Sequence, residues 1–173
     1  MISITNKLQI DLTKLSVHEV NTPEDRADLI ALRKIIAAEN DFDFLDVSDV
    51  ESYYQKRENV YRKCFFLLRN NEKACGIGEI IPINTLYCHH IAEANILLMQ
   101  SVMGQGCASL LMQHIEKKLI KLDISKAQTT ILQNNLQGLS FLIKHGFHIE
   151  GKLKGVVYKN EEFFDAYFMA KNI

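Results

Sequence analysis

Apolar and polar positions along this chain switch repeatedly between a period near two and a period near 3.6, and the switches mark its elements. Residues 15–20 alternate as a strand does. Thr22-Pro23-Glu24-Asp25 then supplies a capping hydroxyl, a proline at the first helical position and acids in the first turn. A helix is predicted over residues 23–38, with Leu29, Leu32 and Ile36 as its buried stripe. Ser48-Asp49-Val50-Glu51 reads as a capping box and predicts a short helix over residues 49–57. Residues 64–68 read as a buried strand, Asn70-Asn71-Glu72-Lys73 as a hairpin turn, and residues 74–81 as a second strand stopped by Pro82. After a polar connection with Asn84, His89 and His90, residues 91–98 form another apolar strand. From Gly106 onward Cys107, Leu110, Leu111, Ile115, Leu119 and Leu122 recur with helical period, while Glu116, Lys117, Lys118 and Lys121 cover the opposite side. Residues 126–132 alternate as a strand, residues 135–145 form a helix ended by Gly146, and two strands follow around Lys159-Asn160-Glu161-Glu162. The order predicts one α/β domain over residues 1–173 with a mixed sheet, residues 1–12 being an extended N-terminal segment.

With 173 residues, 47% of them hydrophobic and 24% charged, the chain has the balance of a soluble globular domain. Its 20 Lys+Arg against 21 Asp+Glu leave no basic surplus for a phosphate backbone, so a nucleic-acid partner is not expected. Apolar runs fall far short of the roughly 20 residues a membrane span needs, and the start shows no leader pattern, which points to the cytoplasm. Cys64, Cys75, Cys88 and Cys107 form no CxxC pair and read as reduced thiols. Cys88 beside His89 and His90 does not have the spacing of a tetrahedral metal site, so no metal is expected.

All eight glycines lie between Gly76 and Gly155, and two of them sit in Met103-Gly104-Gln105-Gly106-Cys107-Ala108, between an apolar strand and the longest amphipathic stretch. A helix start presents unpaired N–H groups and a partial positive charge, which suits a pyrophosphate. A tight strand-to-helix turn with no ligand is the plain alternative. Ala108-Ser109 is not the Lys-Ser of an ATP-binding loop, and no third glycine completes a dinucleotide fingerprint. A different phosphate-bearing cofactor remains.

On these residues the sequence resembles the GNAT superfamily of acetyl-CoA-dependent N-acetyltransferases. The family pattern Arg/Gln-x-x-Gly-x-Gly/Ala is met by Met103 to Ala108, with Gly106 and Ala108 matching and Met103 departing. A second block is met by Asn135, Gly146 and Phe147, with Gly138 as a small-residue variant and Leu142 where the family carries tyrosine. The ending, Gly146 to Lys152 followed by Phe163 to Ala170, is similar to bacterial members that acetylate amino acids, peptides, protein N-termini or polyamines.

The resemblance implies a central mixed, splayed sheet of about seven strands flanked by about four helices, with the pantetheine arm between the strands at residues 91–98 and 126–132. It implies that the backbones of Leu97, Leu98 and Met99 hold that arm, that the loop from Met103 through Gly104, Gln105, Gly106 and Cys107 to Ala108 holds the pyrophosphate, and that Asn135 meets the pantetheine or the thiol region. It further implies that the N–H of Leu98 steadies the oxyanion. Acetyl-CoA is then a cosubstrate, and the partner is a small-molecule amine or a peptide, with a homodimer left open.

A lysine-like amine has a pKa near roughly 10.4, so a carboxylate that removes its proton is useful. Glu93 is the first candidate base and Glu79 the second; both also read as solvated strand carboxylates. Leu142 cannot donate a proton to the leaving thiolate, and Tyr158 or Tyr167 could substitute, although either also reads as a packed strand tyrosine. Cys107 and His114 fall on the apolar stripe and read as core residues, and His145 as a cation capping its helix. Between Ile35 and Gln55, Glu39, Asp41, Asp43, Asp46, Asp49 and Glu51 occur without a Lys or Arg, which favours a cationic acceptor or else is a solvated loop. Met103 and Leu142 both depart from pattern, so an acyl-CoA-binding sensor is the alternative to an enzyme.

Overall fold

The computed structural model describes residues 10–39, 47–57 and 60–173. After a 3-10 turn at Leu12–Lys14, the strands are β1 (Leu15–Glu19), β2 (Cys64–Asn70), β3 (Lys73–Pro82), β4 (Ile91–Leu98), β5 (Lys126–Leu132), β6 (His148–Lys159) and β7 (Glu162–Asn172). The helices are α1 (Pro23–Glu39), α2 (Val50–Arg57), α3 (Cys107–Lys121) and α4 (Leu136–Lys144). Each predicted element is present, and the differences are at the ends. Residues 47–49 form a 3-10 turn before α2, and β2 runs on to Asn70 because its pairing with β1 and β3 continues.

Local chemistry explains the helix starts. Thr22 Oγ1 accepts the Asp25 N–H at 3.1 Å, opening α1. Asn135 Oδ1 accepts the Gly138 N–H at 2.9 Å, opening α4. His145 closes α4, but not as the expected cation: desolvation pushes its pKa down, and Nε2 lies 3.1 Å from Ser109 Oγ. Positive charge at that helix end comes from Lys144 in the last turn and from Lys171, whose Nζ donates to the His145 carbonyl at 3.0 Å and pairs with Glu116 at 2.6 Å.

The sheet order is β1-β2-β3-β4-β5-β7-β6. All neighbours are antiparallel except β4 and β5, whose parallel pairing covers Ile91↔Lys126, Ala92↔Ala127 and Glu93↔Gln128. Beyond Glu93 the two strands no longer pair with each other, as the resemblance implied.

One face of the sheet buries Leu29, Leu32 and Ile36 of α1 and Val50 and Tyr54 of α2 against Phe65, Leu67, Ile77 and Ile81. The other buries Leu111, Met112, Ile115 and Leu119 of α3 against Phe66, Leu68, Ile80 and Ala94. Gly76 and Gly78 allow α3 to lie close on β3: a Cβ at Gly76 would stand 2.5 Å from Leu98 Cδ2 and 3.3 Å from Leu111 Cδ1, and one at Gly78 3.2 Å from Ile115 Cδ1. Cys107 is buried as expected, and burial pushes its thiol pKa up, which removes a nucleophilic role. His114 is satisfied by the Leu110 carbonyl at 2.9 Å but is half-buried at the rim of the core. No helix among the described residues is long and apolar enough to cross a membrane.

Candidate functional site

The gap between β4 and β5 opens into a cavity of about 530 Å³ that runs through the sheet. On the α1/α2 side it is lined by Arg33, Tyr53, Arg57 and Glu79; on the α3/α4 side by Ala108, Met112, Gln137 and Phe141. Glu93, Asn95, Leu97 and Leu98 of β4 and Gln128 to Ile131 of β5 form the walls of the passage. Thr129 Oγ1 donates to Asn95 Oδ1 at 2.8 Å across it.

Ladder geometry decides which backbone groups face this gap. The Met99 N–H donates to Cys75 O at 3.1 Å, so Met99 is turned toward β3. Antiparallel pairs alternate, so Leu97, opposite Ile77, is also turned toward β3, while Leu98 and Ile96 point the other way, toward β5. Of Leu97, Leu98 and Met99, Leu98 alone has its N–H and C=O free of the β3 ladder and aimed into the gap. The implied trio of arm-binding backbones is corrected to that extent.

The glycine loop lies at one end of the passage. Gly104 has φ 76° and Gly106 φ 85°, left-handed values that L side chains rarely adopt. Gly106 caps α3 without a side-chain hydrogen bond. The first helical bond runs from the Leu110 N–H to Gly106 O at 3.2 Å, so Cys107, Ala108 and Ser109 have no acceptor within the helix for their N–H groups. Met103 and Ala108 reach the cavity wall, as does Asn135. Gln105 is tied elsewhere: its Nε2 donates to Ser101 O at 3.1 Å and its Oε1 accepts the Ile10 N–H at 2.9 Å.

At the other end stands a buried carboxylate. Glu79 is 2% exposed, so reading it as a solvated strand carboxylate is wrong. Tyr53 donates to its Oε2 at 3.0 Å and Tyr54 to its Oε1 at 2.8 Å. Burial, reinforced by the charge of Glu79, holds both phenol pKa values far above the ordinary one, so both remain donors. Glu93 lines the same cavity but is exposed. Of the two carboxylates, Glu79 is thus the enclosed one and Glu93 the solvent-facing one. A pH consequence follows for stability: an unfolded chain loses these phenolic protons near pH 10 and the folded one does not, so stability falls above that pH. The slope contributed is up to about 1.4 kcal/mol per pH unit for each phenol. Denaturant unfolding between pH 8 and 11 is expected to show that fall, with a shallower slope in a Tyr53→Phe/Tyr54→Phe double variant; equal slopes would remove the pair as its source.

Tyr158 and Tyr167 are not brought to the cavity. Tyr158 is 64% exposed and packs against Phe163 with the rings tilted by 44°. Tyr167 packs against the core on the α3 side and is not among the residues that line the cavity. Leu142, buried, occupies the wall where the family carries tyrosine. Sequence reasoning missed Arg33, Tyr53, Tyr54 and Arg57. Arg33 carried a signal: it interrupts the α1 stripe between Leu32 and Ile36 and is 5% exposed. The acidic segment is also altered by its surroundings. Glu51 pairs with Lys34 at 2.6 Å and Glu39 accepts the Gln100 N–H at 3.1 Å, while Asp41, Asp43 and Asp46 lie outside the described residues.

Residues 22–168 match the family model described as an acetyltransferase (GNAT) domain. The chain is 32% identical over 105 residues to the L-amino acid N-acetyltransferase AaaT of Escherichia coli (strain K12), a match over 57% of this chain and 65% of that relative, less than two thirds of its length. An acetyltransferase of the GNAT family from Streptococcus pneumoniae has a similar structure, with a TM-score of 0.80 at 27% identity over 92% of this chain and 99% of that one. The yncA protein from Salmonella typhimurium, solved with its cofactor acetyl-CoA, shares the fold at a TM-score of 0.76 and 12% identity, over 92% of this chain and 94% of that one.

Proposed function

This chain belongs to the GNAT acetyltransferase family, and on that premise we propose that it transfers an acetyl group from acetyl-CoA to a primary amine of a small molecule or peptide by direct attack in a ternary complex. The observation that carries this reading is the single cavity that joins an uncapped helix start on one side of the sheet to a buried carboxylate on the other. The residues fit the cosubstrate: the Leu98 N–H in the gap between β4 and β5 would hold its arm, and the amides from Gly104 to Ala108 would hold its phosphates, with Met103 adding contact and no charge. Asn135, on the same wall, is held by its cap to Gly138 and would meet the arm from there.

When bound, acetyl-CoA supplies an activated acyl group; the chain supplies position and proton transfer. Glu79, held by two hydroxyl donors, takes the proton of the incoming ammonium, and Glu93 at the rim passes protons to solvent. The Leu98 N–H is oriented to donate to the carbonyl oxygen as charge develops there. The wall offers no acid at Leu142, and a thiol of pKa about 8.5 leaves tolerably as thiolate near neutral pH.

The sensor reading rests on the same Met103 and Leu142 and shares the first step. Calorimetry with acetyl-CoA is expected to show binding, and its absence would remove both readings. Free-thiol release over amino acids, peptides and polyamines separates them: turnover with any amine supports transfer, and binding without turnover supports the sensor.

A further inference from the structure

Arg57 is stacked on Tyr53, with its Cζ 3.6 Å from the ring centroid. Its Nη1 makes one long contact to the Tyr53 carbonyl at 3.4 Å, and its buried Nε has no hydrogen-bond partner among the described residues. A buried donor without an acceptor is rare and calls for an explanation. The hydroxyls of Tyr53 and Tyr54 donate to Glu79, and neither accepts from Arg57 Nε. Arg57 lines the cavity, and a guanidinium presents a planar fork matched to a carboxylate.

We propose that Arg57 recognises a carboxylate on the acceptor, so that the substrate is an amine with a carboxylate near its nitrogen, held with its ammonium at Glu79 and its carboxylate at Arg57 on either side of the Tyr53 ring. This rests on the amine-transfer reading above and narrows its substrate class. Tyr53 is the positioning residue: its face fixes the guanidinium and its hydroxyl fixes Glu79. Charge agrees. The described walls bring Arg33 and Arg57 together with Glu79, with Glu93 at the rim, so a zwitterion meets a partner for each of its groups. The acidic segment that favoured a cation is, where described, partly engaged by Lys34 and Gln100.

The test compares α-amino acids with their decarboxylated amines, histidine with histamine and tyrosine with tyramine among them, together with polyamines. The wild type is expected to favour the carboxylate-bearing member, and Arg57→Gln to shrink that preference in kcat/KM by roughly 10- to 100-fold, the range for losing a charge-assisted hydrogen bond. Arg57→Lys keeps the charge without the fork and should restore part of the preference, most of the change appearing in KM. Acetyl-CoA calorimetry checks that each variant is folded; if Arg57→Gln is not, Arg57→Lys carries the comparison with the same expected direction. Equal turnover of decarboxylated amines, a preference for polyamines, or a ratio unaltered at Arg57 overturns the assignment while leaving acetyl transfer standing. If no amine is turned over, binding of N-acetylhistidine and N-acetyltyrosine in the presence of CoA is measured instead. Binding weakened at least tenfold in the variant sustains the carboxylate site and removes the transfer reading; binding that is absent or indifferent to Arg57 overturns the site.

Discussion

Replacing Glu79 with glutamine is expected to lower kcat/KM for the amine acceptor by roughly 10²–10⁴, the range for a lost general base. Glutamine keeps the shape of the side chain and one acceptor oxygen for the tyrosines, so the change isolates charge and proton affinity. The loss should narrow as pH rises toward the acceptor's own pKa, because a larger share of the amine is then already neutral. Glu93→Gln, at an exposed position on the same wall, should cost less than about tenfold, since bulk water can take over a proton relay that solvent already reaches. Rates for both variants across pH 6 to 10, with melting curves to confirm folding, decide the matter. An equal or larger loss at Glu93 would return the base to that residue.

Gly106→Val is expected to raise the Kd for acetyl-CoA at least roughly tenfold, while the fold survives. The residue has φ 85°, and a β-branched side chain there costs about 1–3 kcal/mol in backbone strain. Apart from its chain neighbours, nothing lies within 4 Å of an added Cβ, so the cost falls on the backbone rather than on packing. What it does is distort the start of α3 and project a side chain beside the amides that close the loop. Calorimetry on the folded variant reads the affinity directly, and Gly106→Ala should give a milder shift. An unchanged Kd in folded Gly106→Val would place the pyrophosphate elsewhere.

The elements and the glycine loop were legible because their signals are local. Helical recurrence from Cys107 to Leu122, alternation in residues 126–132, and the capping hydroxyl at Thr22 act over one or two turns, and the structure keeps them within a residue or two. The loop's backbone was equally local, since unpaired amides belong to any helix start and two glycines permit its left-handed conformation. The site's charges were not legible in this way. Glu79 stands between Gly78 and Ile80 in a strand whose alternation leaves open whether its face is buried, and its partners lie 25 and 26 residues earlier. Tyr53 and Arg57, four apart on α2, resemble an ordinary amphipathic helix until that helix is laid against β3.

By itself, then, the sequence determined the order of elements, the chain's glycine-gated helix start and its resemblance to acetyltransferases, because period, capping and turn chemistry operate between neighbours. The tertiary structure alone decided that Glu79 is enclosed, that Glu51 is paired with Lys34, that Leu98 rather than Met99 opens its backbone to the gap, and that Tyr158 and Tyr167 stand away from it. Burial, ion pairing and ladder orientation are relations between segments distant in the chain. A carboxylate has the same sequence whether it faces water or two phenols, and only the packing of α2 on β3 determines which.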